Sequence, residues 1–378
     1  MENSLLRSRK IGVRAACALV AALAAATGSF GQTGGQAGDY LRAPTGATMT
    51  AMGGGQSASP PYLATWWNPA QLANLDKSIF TFGTGLYSLG RTEAFSSLEF
   101  KLPPRVGVGL LCLYRGDPFI DKLYSSDEVA LPGGAFTTLT AKVALSYLVS
   151  RRLSAGLSLG VFYERLPTSY NETATATGVD ASLNYSDATS VSGFSLGVQY
   201  RLTDSLTLAL VVRDIDPLLM LSGSPASINM SWQLSEAGGD YNPTVTDAMM
   251  PAFVLGSLLR HHLLGHPLLW SCDIDAYLVD GTWTKLDYME ARIHTGFEWQ
   301  RWNTFRIRLG LDDLPVNRSM FEAPKSGIDY WHDFSCRITG GFGWDLAKLR
   351  RGLTLNYSVA TDKVWAGIDE MLDVVYRF

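Results

Sequence analysis

Charged side chains occupy every second position along several stretches of the later chain, opposite a row of apolar ones. Asp273 and Asp275 alternate with Cys272, Ile274 and Ala276, while Arg306, Arg308 and Asp312 alternate with Phe305, Ile307, Leu309 and Leu311. Glu290, Arg292, His294, Glu298 and Arg337 fall on the same polar face. Two chemistries suit such a set. One is a network of ion pairs lining a water-wetted interior. The other is an oxyanion site in which Arg292, Arg306 and Arg308 donate forked hydrogen bonds to a carboxylate. The network is the favoured expectation, because each of these arginines has acidic neighbours on the same face.

Other reactive groupings carry less. His261, His262 and His266 share one short turn, where hydrated side chains are commoner than a metal site. Gly53-Gly54-Gly55 has no following Lys-Ser/Thr and no helical pattern after it, which argues against a phosphate loop. No Ser-His-Asp order stands out, so no catalytic site, metal or cofactor is expected. The formal net charge of −4 does not point to nucleic acid. Beyond Cys17 three cysteines remain, Cys112, Cys272 and Cys336, an odd number with no metal-site spacing.

The elements that must position the charges are strands. Leu139, Ala141, Val143, Leu145 and Tyr147 alternate with Thr140, Lys142, Ala144 and Ser146. Leu157, Leu159, Val161 and Tyr163 follow at once as an antiparallel partner. Such segments have the length of a tilted membrane-crossing strand, about 9–11 residues, whereas soluble strands are nearer 5–6. Fourteen strands are expected, starting near Ile79, Ala94, Val106, Phe136, Ser154, Ser190, Leu206, Pro251, Leu268, Met289, Thr304, Trp331, Leu353 and Asp369. The first strands and the eighth alternate poorly. Connections alternate between short turns and long loops, the plan of a closed outer-membrane barrel with its long loops outside the cell. Aromatics gather at the short turns (Phe100, Tyr147, Tyr200, Trp299, Trp302, Trp344, Phe378) and at the opposite ends (Tyr114, Tyr163, Tyr277, Tyr357), as two membrane interfaces select.

The ends of the sequence agree. Arg7, Arg9, Lys10 and Arg14 precede the apolar run Ala15–Ala26, and Ser29 and Gly31 stand as positions −3 and −1 before Gln32. This is the layout of a secretory signal peptide over 1–31, too short to span a membrane as a helix. At the other end Leu372, Val374, Tyr376 and Phe378 alternate with polar residues. A last strand ending on an aromatic resembles the assembly signal of outer-membrane barrels, with Tyr376 and Phe378 read by the barrel-assembly machinery. Residues 78–378 are thus expected to form the barrel and 32–77 a separate segment.

That segment, rich in Gly, Pro and small residues, contains Gly46, Ala47, Met52, Gly53, Gly54 and then Trp67-Asn68-Pro69-Ala70, with Leu72 and Ala73. The motif resembles the start of the PorV/PorQ-like proteins, within the superfamily of FadL-type long-chain fatty-acid transporters. Gln71 departs from the glycine usual there. The resemblance implies an all-β, membrane-spanning antiparallel barrel of about fourteen strands, with the N-terminal segment folded inside the lumen as a hatch. It implies a multi-pass protein of the bacterial outer membrane, both termini periplasmic, embedded in lipid and lipopolysaccharide. The nearer branch implies a component of protein export or surface attachment, with a translocon or cargo proteins as partners. The alternative is passive uptake of a hydrophobic ligand such as a long-chain fatty acid. An apolar lumen face on several adjacent strands would favour that alternative; Leu111, Leu113 and Phe162 are what the sequence offers toward one.

Overall fold

The computed structural model describes residues 43–87, 90–117, 136–165, 169–174, 179–184, 189–215, 227–231, 234–236, 239–241, 244–248, 251–278, 289–302, 304–316, 336–361 and 367–378. The signal-peptide segment 1–31 and residues 32–42 lie outside them.

Fourteen strands close into one antiparallel barrel. They are β1 (Ile79–Leu86), β2 (Thr92–Leu102), β3 (Val106–Asp117), β4 (Phe136–Leu148), β5 (Leu153–Arg165), β6 (Thr189–Arg201) and β7 (Leu206–Ile215). The circuit continues with β8 (Ala252–Leu263), β9 (His266–Leu278), β10 (Met289–Trp302), β11 (Phe305–Pro315), β12 (Arg337–Asp345), β13 (Leu353–Thr361) and β14 (Ile368–Arg377). Each pairs with its neighbour in sequence, and β14 returns to β1 with Ile79 opposite Arg377 and Leu86 opposite Glu370. The start expected at Trp331 lies outside the described residues; β12 as described opens at Arg337. Three short hairpins stand in the long loops, pairing Ser169–Ala174 with Val179–Asn184, Ser227–Ser231 with Thr244–Ala248, and Leu234–Glu236 with Gly239–Tyr241.

The pattern of burial is inverted relative to a water-soluble protein. On the outside Val143 is 51 %, Leu159 55 % and Leu309 63 % exposed, while Lys142, Ser158 and Arg308 behind them are buried. In water a continuous apolar belt of this kind would be a severe liability. In a bilayer it is the required surface, with every backbone group satisfied by the closed ladder. Tyr147, Tyr200, Trp302, Trp344 and Phe378 lie exposed at the short-turn end of that belt. Both flanks of the closing seam lie at this end too, since the Phe378 backbone N–H donates to the Ser78 carbonyl at 3.0 Å.

The poor alternation of the first strands has a physical cause. On β2 the aromatic Phe95 points inward and Ser96 outward, so apolar and polar residues change sides. The Phe95 ring occupies the space a side chain on Gly83 of β1 would need. A lumen of fourteen strands is too wide for wall side chains alone to fill. Its centre here holds residues 43–77.

Candidate functional site

Residues 43–77 fold into three short helical pieces: α1 (Ala47–Ala51), α2 (Ala64–Trp67) and a 3-10 helix over Pro69–Asn74. Asn68 caps the last, its Oδ1 accepting from the Ala70 N–H at 3.0 Å, and Pro69 takes the first helical position, where an N–H would be orphaned anyway. Helices this short do not persist alone in water. The barrel wall holds them.

Three wall carboxylates do much of that work. Asp373 on β14 accepts the Ala47 N–H at the start of α1 at 2.7 Å, and also the Tyr62 hydroxyl. Glu99 on β2 accepts the Thr65 N–H in the first turn of α2 at 3.0 Å. Asp273 on β9 accepts the adjacent N–H groups of Gln56 and Ser57 at 2.9 and 2.8 Å with one oxygen. At Asp373 and Glu99 the wall supplies an anion to a helix N-terminus, satisfying a donor that the helix itself cannot. Burial, and then the Asp373 charge, push the Tyr62 phenol well above its ordinary pKa, so it stays protonated and donating.

Side-chain amides complete the grip. Gln199 on β6 donates to the Ala58 carbonyl at 2.9 Å, and Asn74 donates to Gln199 at 2.8 Å. Gln71 is fully buried and donates to the carbonyls of Gln56 and Ser57 at 2.7 and 3.0 Å. The glutamine that stands where a glycine was the expected form therefore ties the segment to itself. Inward glycines let the backbones meet: a side chain on Gly107 would collide with Leu72, on Gly156 with Pro69, on Gly296 with Met52, and on Gly310 with Met52 and Gly53. Within the segment, Gly53 and Gly54 have φ of 63° and 79°, which other residues rarely adopt, and both lie against the wall near Thr295, His294 and Leu311.

The charges flagged by alternation separate into clusters. Arg213 pairs with Asp275 at 2.8 Å, and Asp275 lies 3.9 Å from His294. His294 lies 2.6 Å from Asp312, Asp312 pairs with Arg337 at 3.2 Å, and Arg337 pairs with Asp369. This chain of charges crosses β7, β9, β10, β11, β12 and β14. Arg292 pairs with Asp313 at 3.0 Å beside it. Toward the short turns, Arg308 pairs with Glu298 at 2.7 Å and donates to Asn356 at 3.0 Å, and Asn356 in turn donates to Asp373. Arg306 lies 3.9 Å from Glu298.

Asp273, Asp275, Arg292, Arg306 and Arg308 thus sit on the inner wall, while the side chain of Glu290 lies outside the described ones. Arg292, Arg306 and Arg308 do not converge on one point, and each has an acidic partner. His294, Asp312 and Asp313 bring ligand-type atoms within 4.8 Å of one another, but Arg337 and Arg292 already neutralise the two carboxylates. His261 and His262, expected in a short turn, are exposed at the end of β8, and His266 opens β9 across the Leu264–Gly265 turn. Sequence reasoning missed Glu99 as an anchor, and also Glu93, which Arg115 pairs with at 2.5 Å on the neighbouring strand. Period-2 alternation through Phe95 was the signal that would have turned both inward.

On the other side of the lumen an apolar cluster is set into a wall that also carries Glu93, Glu99, Arg115, Thr140 and Lys142. Ile79, Phe95, Leu111, Leu113, Ala144 and Phe162, from β1 through β5, are buried in one cluster with Leu63, Trp66, Trp67 and Leu72 of the segment. Lys142 is inserted there with its ammonium 4.5 Å from the Trp66 ring centroid and 2.8 Å from Asp214.

No protein-family model matches the sequence, and no curated protein matches it. In three dimensions the chain is similar to the toluene transporter TbuX of Ralstonia pickettii, with a TM-score of 0.59 at 13 % identity, covering 90 % of this chain and 100 % of that one. A Pseudomonas aeruginosa FadL homologue gives 0.58 at 13 % identity over 88 % and 98 %. The Pseudomonas putida toluene transporter TodX gives 0.55 at 14 % identity over 92 % and 98 %. At such identities the likeness is one of fold: the closed barrel is shared with FadL-type transporters over nearly the whole of each chain.

Proposed function

We propose that the protein is an outer-membrane barrel that lets a hydrophobic small molecule cross, with residues 43–77 as the hatch that closes its lumen. The observation that carries this is the apolar cluster of Ile79, Phe95, Leu111, Leu113, Ala144 and Phe162 on β1–β5, which gives a hydrophobic solute a surface to follow between the polar side chains of the same wall. The likeness to two toluene transporters supports the same ligand class. On this reading the short-turn end, which carries both flanks of the seam, is periplasmic, the long loops face outward, and the apolar belt contacts lipid and lipopolysaccharide. Assembly relies on the barrel-assembly machinery.

Export or surface attachment, implied by the Trp67–Ala70 motif, is the second reading. In this structure those residues serve the hatch itself: Asn68 caps a helix and Trp67 packs in the apolar cluster. The two readings part in one experiment. Liposomes with a lipopolysaccharide outer leaflet, which slows the unaided entry of apolar solutes, should take up toluene or a long-chain fatty acid faster when they carry the purified barrel than when empty. Uptake equal to that of empty liposomes, together with protein subunits that co-purify from the native membrane, would overturn the channel reading in favour of export.

A further inference from the structure

Deep in the lumen the described arginines are matched by carboxylates. In one cavity at the short-turn mouth they are not. Arg151 and Arg152 in the β4–β5 turn, Arg201 at the end of β6 and Arg260 on β8 line this cavity of about 190 Å³ beside Pro60-Pro61 of the hatch. Among the described residues none of the four has a carboxylate within ion-pair distance, although Asp76 stands in the same cavity wall. Arg260 is half-buried, and its guanidinium donates to the Thr207 hydroxyl at 2.9 Å.

Like charges gathered on a half-buried cavity repel one another unless an anion joins them. Four forked guanidiniums offer the geometry that oxyanions prefer. Ser59, 3 % exposed, also borders this cavity, and its hydroxyl has no hydrogen-bond partner among the described residues. Asn74 and Gln199 in the same wall are bonded to each other and to the hatch backbone, so a ligand there would touch the groups that hold the hatch.

We infer that this cavity binds a phosphate-type oxyanion at the short-turn mouth, held by Arg152, Arg201 and Arg260 against the hatch. The anion is either free phosphate or the headgroup of an anionic phospholipid from the adjoining leaflet. The site does not depend on which molecule the barrel conducts.

Calorimetric titration of the full-length barrel in a nonionic detergent tests it, with inorganic phosphate and dihexanoyl phosphatidic acid as probes. Both should bind, more weakly as salt is added. Binding of the phosphatidic acid at least tenfold tighter than phosphate assigns the site to a lipid headgroup; equal binding assigns it to the free anion. The variant R201Q/R260Q should weaken either probe about tenfold, the loss of two charge-assisted contacts. If that barrel does not fold, R151Q/R152Q in the exposed turn carries the test with a loss of about threefold. No binding of either probe, or binding unchanged in a folded variant, would overturn the inference.

Discussion

The lumen wall holds one hatch by two kinds of contact. From β1 to β5 it meets residues 43–77 largely with Ile79, Phe95, Leu111, Leu113 and Phe162 around Trp66 and Trp67, and with one carboxylate, Glu99, on the Thr65 N–H. From β7 to β14 it meets them with charges: Asp273 and Asp373 on N–H groups of the segment, and the Arg213–Asp275–His294–Asp312–Arg337–Asp369 chain behind them. Apolar contact is non-directional and tolerates small displacements of the surfaces it joins. Hydrogen-bonded charges hold one geometry and are costly when half-made. The β7–β14 side, where such contacts dominate, is therefore the more fixed, and on the proposed function the apolar cluster is where the segment shifts and a hydrophobic solute passes.

Variants can break this comparison from either side. Arg337→Met leaves Asp312 and Asp369 buried beside a vanished cation. It should cost about 3–5 kcal/mol in urea unfolding from lipid vesicles. A loss under ~1 kcal/mol would show that the charged side fixes little. Leu113→Ala on the apolar side should cost about 2–5 kcal/mol through the cavity it opens. Unlike Arg337→Met, it should also raise uptake of a hydrophobic solute by the liposome assay. Asp273→Ala orphans the Gln56 and Ser57 N–H groups, at about 1–3 kcal/mol. Its diagnostic readout is protease cleavage near residues 56–57, which the wild type should resist. Gln71→Gly removes two buried donors from the hatch interior while leaving the wall intact. A loss of about 1–2 kcal/mol with no new cleavage at the wall contacts is expected. Removing Phe378 should matter least to the folded barrel, about 1 kcal/mol for the Ser78 hydrogen bond and the stack on Tyr376, whose ring lies 5.7 Å away. The amount of barrel assembled in cells should fall, and unchanged assembly would count against the reading of the chain end.

The barrel was legible in the sequence wherever one face met lipid and the other met water or polar wall. Along β4 and β5 this held at nearly every position, and the expected starts at Phe136 and Ser154 fall within one residue of those observed. It failed on β2, where Phe95 serves the hatch contact and the lipid side accepts Ser96. The polar wall of β9 and β11 was legible for the same reason as the strands. Its partners were not, because period-2 alternation fixes which way a side chain points and not what it meets. Asp373 and Ala47 are 326 positions apart. Gln71 was visible only as a departure from a motif; its two hydrogen bonds depend on the turn that brings Gln56 and Ser57 beneath it.

The three hatch-holding carboxylates are spread along the chain, on β2, β9 and β14. A ribosome makes the hatch first, Glu99 soon after, Asp273 much later, and Asp373 only with the last strand of the barrel. The first helix therefore lacks its Asp373 partner until the last strand, with Asp373 opposite Gly83 across the β1–β14 seam, is in place. On the proposed reading of this segment as a hatch, closing the wall and clasping its first helix are therefore linked through a single carboxylate.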